Sequence, residues 1–113
     1  MKFTIKVSEE LKTAWPQFAG AAVYAKVTNT PYNEALWERI NQFVALYREQ
    51  YTTDSIKSMP AIQATRAAYK ACGKDPSRYR PSSEALCRRI LRGIPLYQID
   101  TLVDLLNLAS INS

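Results

Sequence analysis

Between Lys2 and Val7 apolar and polar residues alternate, with Phe3, Ile5 and Val7 set against Lys2, Thr4 and Lys6. A period of two predicts a half-buried strand. Ser8-Glu9-Glu10 then opens a short helical turn, with acids placed where the helix dipole favours them, and Trp15-Pro16 breaks it. From Gln17 onward small and apolar residues crowd together. Ala19 to Val27 reads as a central strand whose small side chains admit a closely packed neighbour.

After Thr30-Pro31 the period lengthens. Leu36, Ile40, Phe43 and Tyr47 recur at helical spacing and form one core-facing stripe, while Glu34, Glu38, Arg39 and Arg48 lie largely off it. Tyr51 to Ser58 is polar and reads as a loop. Met59-Pro60 opens another helix, with Ile62, Thr65 or Arg66, Tyr69 and Cys72 on one face and Gly73 placed to end it. Arg66 and Tyr69 are side-chain neighbours at this spacing, either a structural stacking pair or a pair that contacts RNA.

Lys74-Asp75-Pro76 is a turn, and Pro81 fixes an extended approach at Arg80. Ser82 is placed to cap a helix that buries Leu86 and Ile90 and spreads Arg88, Arg89 and Arg92 over its exposed side. Gly93 ends it, and Ile94 to Ile99 reads as a short strand or an extended segment, interrupted by Pro95. Asp100 caps a last helix whose apolar face is Leu102, Leu105, Leu106 and Ala109. Asp104 and Asn107 share another side. Two strands followed by four helices predict an α+β arrangement: a short sheet packed by about four helices. Two strands do not make a self-sufficient sheet, so the expectation is an incomplete domain that stops after a helix at Ser113.

At 113 residues this is one domain. Its longest apolar runs fall far below the roughly 18–20 residues of a membrane span. The start, MKFTIKVSEE, is no signal peptide, and a cytoplasmic location is the default expectation. Cys72 and Cys87 lack the spacing of a disulfide scaffold or metal site and read as buried free thiols. No histidine is present. That removes Ser–His and Cys–His nucleophile schemes and the commonest zinc ligand. No cofactor and no metal are expected.

The net charge of +5 is unevenly placed. Between Arg66 and Arg92 eight cations stand against Asp75 and Glu84, whereas the first 60 residues are nearly balanced. Such a belt points to a polyanion, nucleic acid first, or else to a solvated basic face with partners inside the molecule. Arginine dominates from Arg78 to Arg92, and its planar fork suits phosphate. Asp104 and Asn107 either orient a ligand or make local structural bonds.

Two separated motifs, Arg80-Pro81-Ser82 with Glu84-Ala85-Leu86 and Ile99 with Leu102-Val103-Asp104 and Asn107, occur in the order of a known module. The chain resembles the B3/B4-type tRNA-binding and editing domain of the phenylalanine–tRNA ligase beta subunit, in its free-standing bacterial form. The resemblance covers residues 1–113 as the N-terminal half of one such domain. It implies a three-layer α/β fold and hydrolysis of mischarged aminoacyl-tRNA by a positioned water, with the rest of the domain or a homo-oligomer partner completing the site. It implies further that Arg78, Arg80, Arg88 and Arg89 hold the tRNA backbone near its aminoacylated 3′ end. Asp104 and Asn107 shape the pocket, and the catalytic residue is left open. A non-catalytic RNA- or protein-binding module and an amino-acid-binding protein are the alternatives.

Overall fold

The computed structural model describes residues 4–112, and every secondary-structure element among them is helical. The helices are α1 (Glu9–Ala14), α2 (Glu34–Gln50), α3 (Pro60–Ala71), α4 (Ser82–Leu91) and α5 (Thr101–Ile111), with a 3-10 turn at Thr53–Ser58 between α2 and α3. The expected α+β arrangement is therefore overturned.

Both expected strands fail for the same reason. Residues 4–7 are irregular, and Lys2 and Phe3 lie outside the described residues. Ala19–Val27 is irregular along its whole length, with Val23 91% exposed. Alternation and small residues express a local preference for extended backbone, but a strand needs a hydrogen-bonded neighbour, and neither stretch finds one among the described residues. The radius of gyration, 16.3 Å, exceeds the roughly 13 Å of a compact chain of this length, as expected when the N-terminal stretch adds little to the core.

The helical body follows the apolar periods closely. In α2 the buried positions are Trp37, Ile40 and Tyr47. The helix starts later than Thr30-Pro31 suggests, because Asn33 Oδ1 accepts from Leu36 N at 2.9 Å and forms the cap. The segment read as a polar loop contains the 3-10 turn, and it contributes Ile56, which is fully buried. Ile56, Ile62, Leu86, Cys87, Ile90 and Ile111 meet around Tyr47 as the core. Helix α3 packs on the 3-10 turn, that turn packs on α4, and α4 packs on α2 and α5. Gly73 and Gly93 follow α3 and α4 with φ of 79° and 76°, the left-handed conformation that lets each helix end within a residue or two.

Two details differ from expectation. Pro81, not Ser82, is the N-cap of α4, and it supplies no side-chain bond. Cys72 is exposed, whereas Cys87 is buried.

The largest difference is the orientation of α5. Its leucines were expected to face the core, yet Leu102, Leu105 and Leu106 are 36%, 48% and 59% exposed. Asp104 is the residue that turns inward, with 2% exposure. It accepts hydrogen bonds from Trp37 Nε1 at 3.1 Å and from Ile99 N at 3.0 Å. A buried carboxylate needs such partners, and here one comes from distant α2 and one from the connector just before α5, and together they fix the helix's rotation. The N-terminus of α5 is held as well. Asp100 accepts from Val103 N at 2.8 Å, and Asn29 Oδ1 accepts from Leu102 N at 3.0 Å. The Val103 amide first, then the Asn29 side chain and the Leu102 amide, hold the Asp100 carboxyl below the usual carboxylate range.

Candidate nucleic-acid interface

Helix α4 places its residues in two sets. Leu86, Cys87 and Ile90 point to the core. On the opposite side Arg88, Arg89 and Arg92 follow one another at helical spacing, and Glu84 lies one turn before Arg88.

Glu84 is fully buried, which for a carboxylate demands strong compensation. Arg66 of α3 donates through Nη1 to both carboxylate oxygens, at 2.9 and 3.1 Å. Arg88 Nε donates to Oε2 at 3.0 Å. Arg80 Nε stands 3.6 Å away, an ion pair without a hydrogen bond. Burial pushes the Glu84 carboxyl up, but the bonds and charges of Arg66 and Arg88 outweigh it and hold it below its ordinary value. Arg66, whose spacing suggested Tyr69 as its partner, reaches Glu84 and Ser77 instead. One carboxylate cancels one of three cations, so the cluster remains positive.

Arg89 faces away from Glu84. Its Nε donates to the Pro95 carbonyl, and its guanidinium lies over the Tyr97 ring, 3.9 Å from the centroid. Tyr97 is 53% exposed, so the stacked pair presents a flat, cationic surface to solvent.

These groups line one cleft of about 380 Å³ between α4, the connector after it, and α5. Arg80, Arg88, Arg89 and Arg92 supply the charge; Ser82, Tyr97 and Asn107 add neutral polar groups; Ala85, Leu86 and Ile94 supply apolar wall. No carboxylate lines it.

The structure thus brings together four of the six residues expected at the site: Arg80, Arg88, Arg89 and Asn107. Arg78 is elsewhere, 5.5 Å from the centroid of the Tyr79 ring, which Lys74 also approaches at 5.1 Å. Asp104 is likewise no part of the cleft lining, being engaged by Trp37 and Ile99. Sequence reasoning missed Tyr97 and the Glu84 cluster as parts of the site. A weak signal for the cluster was present: Glu84 is one of only two anions in the belt, and it stands four residues from both Arg80 and Arg88. Nothing in the spacing of Arg89 and Tyr97 marks them as a pair, because their approach depends on the bend after Gly93.

Among the described residues no group of His, Cys, Asp and Glu could hold a metal ion, and no helix is long and apolar enough to cross a membrane. No family model, curated protein or solved structure matches the chain.

Proposed function

We propose that this chain binds RNA in the arginine-lined cleft between α4 and α5. The observation that carries this function is the convergence of Arg80, Arg88, Arg89 and Arg92 with an exposed Arg–Tyr stack on one concave surface free of carboxylates. Guanidinium groups engage phosphates bidentately, and unpaired bases stack on aromatic and guanidinium planes. The net charge of +5 favours any polyanion, whereas the stack favours one that carries bases. Transfer RNA, which the resemblance implies, is the first ligand to try, since its acceptor end is single-stranded.

Fluorescence anisotropy with tRNA across a salt series tests the proposal. Three to four phosphate contacts give a log–log salt slope of about −2 to −3, so a fourfold rise in salt weakens binding roughly 20- to 50-fold. Binding that ignores salt, or that survives a combined Arg89→Ala and Arg92→Ala substitution, rules the cleft out.

Asn107 in the cleft favours a second function, hydrolysis of the aminoacyl ester at the tRNA 3′ end. Release of amino acid from a mischarged tRNA, abolished by Asn107→Ala, supports it. Tight tRNA binding without release leaves the chain a binding module.

A further inference from the structure

A second cleft lies on the other side of α4. It also measures about 380 Å³, and Lys57, Arg66, Lys70 and Arg88 line it together with Glu84. Arg88 lines both clefts. The second cleft therefore sits between the 3-10 turn, α3 and α4, and the two hollows adjoin across a single arginine.

The charges in the second cleft are only partly spent inside the molecule. Glu84 engages Arg66 and Arg88, but among the described residues Lys57 and Lys70 form no ion pair. Ile56, Ile62 and Ala67 add apolar lining beside the cations and Gln63. Apolar lining next to positive groups suits a base beside a phosphate. Phosphate alone would need no apolar lining.

Given RNA as the ligand, as proposed above, we infer that the RNA is an unpaired strand that crosses α4 at Arg88 and occupies both clefts. Four points support one strand over two separate ligands. The clefts share a wall residue. Both are positive beyond what Glu84 neutralises. Both combine cations with apolar surface. The Arg89–Tyr97 stack offers a platform that only an unstacked base can use. A duplex keeps its bases paired and shows mainly phosphates and 2′-hydroxyls, which leaves the stack and the apolar lining of both clefts unused.

Oligouridylates of about 4 and about 16 nucleotides, lengths that span known single-strand site sizes, separate the possibilities by anisotropy. The tetramer occupies the first cleft and the longer strand both. Lys70→Glu lies on exposed α3 surface away from the first cleft, and circular dichroism checks its fold. The substitution is expected to weaken the 16-mer several-fold and flatten its salt slope by about 0.7 per lost contact, with the tetramer unaffected. Arg92→Glu is expected to weaken both. Equal affinity of the two lengths, a 16-mer indifferent to Lys70→Glu, or a blunt RNA duplex bound as tightly as the single strand overturns the two-cleft path while leaving RNA binding standing. Failure of every RNA to bind overturns the proposed function with it.

Discussion

Replacing Glu84 by Gln removes one negative charge from the centre of the arginine cluster and leaves the volume unchanged. Two guanidinium groups then lose a fully buried carboxylate. Removing one member of a buried ion pair costs about 3–5 kcal/mol in general. Here the Arg66 and Arg88 side chains keep 30% and 20% exposure, so water recovers part of the loss, and the expected cost is about 2–3 kcal/mol. Arg80, at 3.6 Å and 42% exposed, adds little to this. Urea unfolding followed by circular dichroism reads the change as a lower midpoint with an unchanged slope, and thermal unfolding as a drop on the order of 10 °C. The same substitution leaves the clefts one charge more positive, so RNA binding at low salt should tighten while the fold weakens. A Glu84→Gln protein within ~0.5 kcal/mol of the parent would show that the cluster does not join α3 to α4, and the reasoning would fall. Acidity offers a parallel check. The folded Glu84 carboxyl is depressed, so its stabilisation is complete above the ordinary carboxylate value of about 4.3 and is lost as pH falls from there toward the depressed value.

Further predictions concern the rest of the fold. Ile90→Ala, in the core with no exposure, should cost about 2–5 kcal/mol, whereas Leu106→Ala, 59% exposed, should stay within about 0.5 kcal/mol in a urea titration. Asp104→Asn leaves one acceptor for two donors and should cost about 1–3 kcal/mol, with Trp37 fluorescence shifting as its indole partner weakens. Iodoacetamide should label Cys72 in the native protein and spare Cys87 until unfolding, as mass spectrometry of the alkylated chain would read. Burial pushes the Cys87 thiol up, and the Glu84 charge adds to this.

The helices were legible because helix-forming information is local. The Pro60 opening, the Gly73 and Gly93 stops and the Asp100 cap all act within a turn or two, and each lies where the chain suggests. The period-two stretch at the N-terminus carried equally local information, but a strand is completed by a partner elsewhere, which no local pattern supplies. Helix α5 shows the same limit. Its leucine spacing favours a buried apolar face, yet a 67-residue separation hides the Trp37–Asp104 bond that turns the helix the other way. The cationic half of the site was visible as a run of arginines. The stack of Arg89 on Tyr97 was not, since only the folded connector brings the two together.

The first cleft takes its charge from guanidinium groups alone and holds no histidine, carboxylate or thiol. Its hold on a ligand should therefore stay constant through the swings of acidity that a cell experiences, and yield instead to competing ions. If the cleft binds RNA as proposed, magnesium, potassium and polyamine levels become the natural dials for loading and release.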